Sequence, residues 1–123
     1  MPIATVDGLA VYYETRGSGT PLLMLAPGGF DATIEKWSTA MAWKGSQVLD
    51  ALAGEFTVIA YDRRESGNSD GRVEPLSWGL FAEQGKKLLD HLGMERAFVL
   101  GGCMGCSVAT AFAARYPRAT RGL

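Results

Sequence analysis

The apolar positions along the chain change period several times, and each change marks an element. Ile3 to Val6 and Leu9 to Thr15 are alternating stretches rich in β-branched residues, separated by Asp7-Gly8, a dipeptide that favours the tight turn of a hairpin. After a loop from Gly17 to Pro21, the segment Pro21 to Ala26 is apolar throughout, as expected of a strand covered on both faces. A glycine-bearing loop from Pro27 leads to a helix expected near Ser46, with Val48, Leu49 and Leu52 on one face and Gly54 as its C-cap. Phe56 to Tyr61 predicts a second buried strand, followed by a polar turn from Asp62 to Gly71. Leu76 to Leu92 carries Phe81, Leu88 and Leu92 at helical spacing, and Gly93 ends it. Ala97 to Leu100 predicts a third buried strand, Gly101 to Gly105 a sharp corner, and Val108 to Tyr116 a helix stopped by Pro117.

Strands alternating with helices define the α/β class, a mostly parallel sheet flanked by helices and built through right-handed crossovers. No repeat, low-complexity tract or linker divides residues 1–123, which are expected to belong to a single domain. The pattern reaches Arg121-Gly122-Leu123 where a further strand is expected, so that domain is expected to be incomplete without C-terminal strands. Apolar residues make up 47% of the chain and charged residues 20%, the balance of a globular protein. A net charge of −1 with interleaved signs gives no electrostatic footprint for nucleic acid or an anionic membrane. The longest apolar run, Leu22 to Ala26, is too short to span a bilayer, and the N-terminus has neither the basic region nor the apolar core of a signal peptide. Two cysteines cannot build a disulfide framework, and the reducing cytoplasm is the expected compartment.

The chemistry concentrates at Gly101-Gly102-Cys103-Met104-Gly105, a nucleophile flanked by glycines at a corner between a buried strand and a helix. Such a corner lifts one side chain above the sheet. The helix behind it directs free N–H groups and a partial positive charge at that atom, which favours a thiolate and a developing oxyanion. Five residues alone are also compatible with a plain glycine-rich turn, so the surrounding segments matter.

Two of them carry a resemblance. Tyr61-Asp62-Arg63-Arg64-Glu65-Ser66-Gly67-Asn68-Ser69 resembles the Y-D-x-R-G-x-G-x-S loop of the α/β-hydrolase family, with Glu65 replacing the first glycine. The stretch from Pro21 to Phe30 resembles the family's strand and H-G oxyanion loop, with Pro27 where histidine is common. The resemblance covers essentially the whole chain, in order and spacing, and corresponds to the N-terminal half of the α/β-hydrolase fold. It implies that Cys103 is the nucleophile, in the place usually held by serine, as in dienelactone-hydrolase-like members. It further implies that the Met104 N–H supplies one oxyanion donor and the Gly29 N–H, or alternatively the Phe30 N–H, the other. No cofactor or metal is implied. Asp62 and Arg63 are expected to tie their turn together as an ion pair rather than to act in chemistry.

In the family the acid and the histidine of the triad follow the nucleophile in chain order. Here 20 residues follow Cys103 and none is histidine. The only histidine, His91, precedes the Cys103 strand at its far end, about 20 Å away for six residues at ~3.3 Å each, out of reach of a general base.

The expected function is hydrolysis of an ester, thioester, lactone or similarly activated carbonyl of a small-molecule substrate. It needs a complementary chain or second half for the histidine and acid. Without later strands, the strand before Cys103 is expected to be an open edge that drives self-association or pairing with that complement. Two other readings stay open. One is a non-catalytic binding or interaction half-domain. The other is a redox protein using the C-x-x-C of Cys103 and Cys106, although Cys106 is expected to lie buried in the first helical turn.

Overall fold

A computed structural model describes residues 2–29 and 31–123. Its strands are β1 (Ile3–Val6), β2 (Leu9–Arg16), β3 (Thr20–Leu25), β4 (Phe56–Tyr61), β5 (Ala97–Gly101) and β6 (Thr120–Gly122). Its helices are α1 (Lys36–Thr39), α2 (Val48–Leu52), α3 (Trp78–His91) and α4 (Gly105–Arg115), with a single 3-10 turn over Met41–Trp43. The strands form one sheet in the order β1-β2-β4-β3-β5-β6. The β1–β2 hairpin is antiparallel and joins β4 antiparallel, while β4, β3, β5 and β6 run parallel. Asp7 (φ 52) and Gly8 (φ 77) are both left-handed, the backbone that a two-residue hairpin needs to match the strands' twist.

Side chains alternate across the sheet and build two apolar layers. Leu23, Leu25, Ile59, Tyr61 and Val99 pack beneath Phe81, Leu88, Leu89, Val108 and Phe112 of α3 and α4. Leu22, Met24, Val58 and Ala60 pack on the other face with Trp37, Ile34 and Leu49. Ser77 starts α3 by accepting from the Leu80 N–H (3.0 Å), and Gly93 (φ 72) follows its end, where Met94 N–H reaches back to Leu89 O (2.9 Å).

Several expectations change. The loop after Pro27 contains α1 and the 3-10 turn, which place Trp37 in the core and set it edge-on to Trp43 with ring centres 4.8 Å apart. Gly54 is not in the left-handed region, because α2 closes one residue earlier at Ala53 (φ −64, ψ −13) with its N–H on Leu49 O. The last helix begins at Gly105, three residues before its apolar periodicity does.

The open edge beside β5 is narrower than expected, since β6 pairs with its first residues, Ala97 with Thr120 and Phe98 with Gly122. On the α1/α2 side of the sheet, Phe98 is 38% exposed and meets Phe56 edge-on at 6.0 Å, leaving an apolar strip without a covering helix among the described residues.

Candidate functional site

Cys103 stands one residue beyond β5, after Gly102, and adopts φ 50, a left-handed conformation that costs a non-glycine residue of order 1–3 kcal/mol. The elbow is held from below. Gly102 N–H donates to Leu25 O (3.3 Å), and Gly105 N–H to Gly102 O (2.8 Å), so β3 and the first turn of α4 fix the corner from both sides. A Cβ on Gly105 would lie 2.1 Å from Leu25 O, so only glycine lets the helix start this close to the sheet. A Cβ on Gly102 would strike Trp43 Nε1 (2.9 Å), Pro27 Cγ (3.0 Å) and Trp37 Cζ3 (3.1 Å). The two tryptophans and Pro27 are therefore the floor beneath the elbow, a role that the sequence pattern did not reveal.

The thiol of Cys103 is exposed, and so is that of Cys106. This overturns the burial expected for Cys106: its side chain leaves the first turn of α4 toward solvent and donates to Gly101 O at 3.2 Å. The two cysteines are both free thiols. Met104 precedes the helix (φ −61, ψ −25), and its N–H makes no backbone hydrogen bond among the described residues. Gly29 lies in the loop after β3. Asp31 is held below the usual carboxylate range chiefly by Lys36, 2.9 Å away, with the N–H groups of Asp31 and Gly29 adding to the effect. Phe30, the alternative donor, lies outside the described residues.

The loop that bears Gly29 is sewn to the loop after β4. Asp62 Oδ1 accepts from Ile34 N–H (2.8 Å) and its Oδ2 from Asn68 N–H (2.9 Å). Arg63 N–H donates to Ala32 O (2.9 Å), and Ala32 N–H to Ser66 Oγ (2.9 Å). Asp62 and Arg63 are thus structural but do not form the expected ion pair; each reaches a different part of the neighbouring loop. The Arg63 guanidinium, 2% exposed, donates to Ala26 O (3.2 Å), Gly28 O (2.6 Å) and Gly29 O (3.4 Å) and lies 5.3 Å over the Phe81 ring. Burial pulls its pKa down, and among the described residues it has no carboxylate ion-pair partner to offset the desolvation of the cation. Glu65, standing where the resembled loop has glycine, takes the glycine's backbone: φ is 65. Its carboxylate binds Arg64 Nε (2.8 Å), Arg64 Nη2 (3.1 Å) and Arg72 N–H (2.9 Å).

His91 is exposed at the end of α3, edge-on to Tyr13 with ring centres 6.4 Å apart, and the whole of β5 separates it from Cys103. Two clefts of about 620 and 550 Å³ lie elsewhere, the first beside β2 and α2 and the second between the ends of α3 and α4. Neither is lined by Cys103, which opens directly to solvent. Among the described residues no helix is long and apolar enough to cross a membrane, and there is no cluster of three metal-ligating side chains.

The elbow stands between a parallel strand and a helix, beside the glycine loop that follows the neighbouring strand β3. The sequence profile of the alpha/beta hydrolase fold matches residues 21–123, and the chain belongs to that family. Among curated relatives it is 34% identical over 110 residues to a soluble epoxide hydrolase from a Corynebacterium species, covering 89% of this chain and 35% of that protein. It is 32% identical over 123 residues to the putative carbamate hydrolase RutD of Azorhizobium caulinodans, covering all of this chain and 43% of that one. Among solved structures, the epoxide hydrolase CorEH superposes with a TM-score of 0.80 at 31% identity, over 97% of this chain and 38% of its own. The chain therefore spans less than half the length of these relatives.

Proposed function

We propose that the chain supplies the nucleophile and the oxyanion loop of a hydrolase acting on an ester, thioester, lactone or similarly activated carbonyl. The observation that carries this reading is the left-handed, exposed Cys103 at the corner between β5 and α4. Its sulfur attacks the carbonyl carbon, and the oxyanion is received by the Met104 and Gly29 N–H groups. A histidine and an acid from a complementary chain or second half move the proton and activate water for deacylation. The apolar strip at Phe56 and Phe98 and the three-residue β6 are where such a complement, or a second copy, would add. A cytoplasmic location, which keeps the thiols reduced, belongs to the same reading.

The test is a single-turnover reaction with p-nitrophenyl acetate followed by peptide mass mapping. Acetyl transfer forms the C–S bond at Cys103, breaks the ester C–O bond and releases p-nitrophenol. Acylation is expected at Cys103 and not in Cys103→Ala, unaltered by His91→Ala, with turnover negligible until a complement is added. Multiple turnover by this chain alone, dependent on Cys103 and independent of His91, overturns the need for a complement. Acylation confined to Cys106 overturns the elbow assignment, and reversible Cys103–Cys106 oxidation at a defined potential in glutathione buffer favours the redox reading.

A further inference from the structure

We infer that the cleft between α3 and α4 is a binding site for the diphosphate group of a small ligand, with Arg96 and Arg118 as its anchoring residues. The inference goes beyond the nucleophile reading and does not rest on it.

The cleft has a volume of about 550 Å³, within the range of roughly 300–1,000 Å³ usual for small-ligand pockets. Lys86, Arg96, Arg115 and Arg118 line it, against the single carboxylate of Glu95. The whole chain has a net charge of −1, so four cations around one carboxylate are a local concentration and not a reflection of composition. Such a balance suits an anion of two or three charges. Lys86 Nζ and Arg115 Cζ each stand 5.9 Å from the centre of the same Tyr116 ring, which gathers their charges at one residue. Lys86 bonds Asp90, whereas Arg115 reaches Glu83 only at 3.5 Å.

Arg96 and Arg118 differ from the earlier arginines of the chain. Arg16, Arg63, Arg64 and Arg72 each donate to a carboxylate or a backbone carbonyl. The side chains of Arg96 and Arg118 form no ion pair and no hydrogen bond among the described residues, and both residues are exposed. Ala97 N–H donates to Ala119 O (2.9 Å), and β5 and β6 run parallel, so residues 96 and 118 enter neighbouring strands side by side. Like charges on neighbouring strands destabilise each other, and an anion held between them turns repulsion into attraction. A guanidinium fork takes two oxygens of a phosphate at once. A carboxylate has oxygens for one fork, while a diphosphate has enough for both. The cleft stands at the start of β5 and Cys103 beyond its end, five residues or about 17 Å away at ~3.3 Å each, so the bound diphosphate does not reach the thiol.

The test is an NMR titration of 15N-labelled protein with sodium pyrophosphate, against sodium chloride matched for ionic strength. The side-chain Nε–H resonances of Arg96 and Arg118 are expected to shift together and to saturate. Arg96→Gln and Arg118→Gln should each weaken binding about 10-fold or more, the loss that follows removal of a hydrogen bond to a charged group. Arg121 is the control, since it is exposed and without an ion pair among the described residues but does not line the cleft. Arg121→Gln should change the affinity by no more than about twofold, as a screened surface charge does. Shifts no larger than those in sodium chloride, or equal losses in all three variants, overturn the inference. Orthophosphate bound as tightly as pyrophosphate overturns the diphosphate assignment, and hexaglutamate bound more tightly overturns it in favour of an acidic protein segment.

A second measurement needs no variant. An anion that binds only the folded chain raises its melting temperature in a saturating way, whereas sodium sulfate stabilises folded chains through exclusion from their surface. Sodium pyrophosphate should therefore raise the melting temperature of wild type more than sodium sulfate of equal ionic strength. Equal rises in the two salts overturn the inference even if a variant fails to fold, and leave the reading of Cys103 standing.

Discussion

Replacing Glu65 by glycine restores the residue that the family's loop usually has, and it sets two local effects against each other. Glycine accepts φ 65 without strain, which recovers about 1–3 kcal/mol, but it loses about 0.5–1 kcal/mol through its greater freedom in the unfolded chain. Against that gain, the substitution removes two charge-assisted bonds to Arg64, whose side chain is only 3% exposed, and one from Arg72 N–H. Arg64 keeps Glu74 Oε1 at 3.3 Å, so the buried cation is not wholly abandoned. Hydrogen bonds to charged groups contribute about 1.5–3 kcal/mol each when buried, and Glu65 is 24% exposed on its side chain, so the lower end applies. The loss wins, and Glu65→Gly should be about 1–2 kcal/mol less stable than wild type at pH 7 in urea denaturation.

Acid reverses the balance. Hydrogen bonding from Arg64 holds the Glu65 carboxyl below its ordinary value, partly opposed by desolvation. A depressed folded pKa means stability that is fully present above the unfolded value near 4.3 and lost as pH falls through the folded one. The variant's deficit should therefore shrink below about pH 4 and approach zero, or change sign, near pH 2. A variant more stable than wild type at pH 7, or a deficit that does not change on acidification, refutes the reasoning.

Gly105→Ala places a methyl 2.1 Å from a backbone oxygen that cannot swing aside, so α4 must lift off the sheet and unseat Val108, Ala109 and Phe112; we expect at least about 3 kcal/mol of destabilisation by urea titration. Brief iodoacetamide treatment near neutral pH should label Cys103 first and Cys106 more slowly, because the second thiol is engaged with Gly101 O while both are open to reagent; mass mapping over a time course reads the order.

Much of the fold was legible because its elements are long enough to show a period. The hairpin, the three buried strands and α3 stand within a residue or two of where their apolar patterns put them. The stretch from Pro27 to Ser46 was not, since turns of four and three residues are shorter than the window in which helical spacing can be seen. Trp37 and Trp43 announce nothing until the elbow rests on them. The expected Asp62–Arg63 pair fails for a simple reason: successive side chains leaving an extended segment point to opposite sides, so adjacency in sequence becomes separation in space. Cys106 looked like a buried small residue because first-turn positions on a sheet-packed helix often are. It is exposed, with its Sγ turned back to Gly101 O rather than into the core.

The stitching between residues 27–34 and 62–69 has a consequence for how this scaffold can be varied. Two loops that share a guanidinium, a carboxylate and a hydroxyl behave as one casting, so lengthening either would re-aim the Gly29 peptide and shift the ground beneath the elbow. Tolerance for inserted sequence should instead collect around Val73, whose side chain is fully exposed, on the approach to α3. A library that diversifies lengths there, and leaves the joined loops alone, would keep the reacting centre in register while changing what it meets.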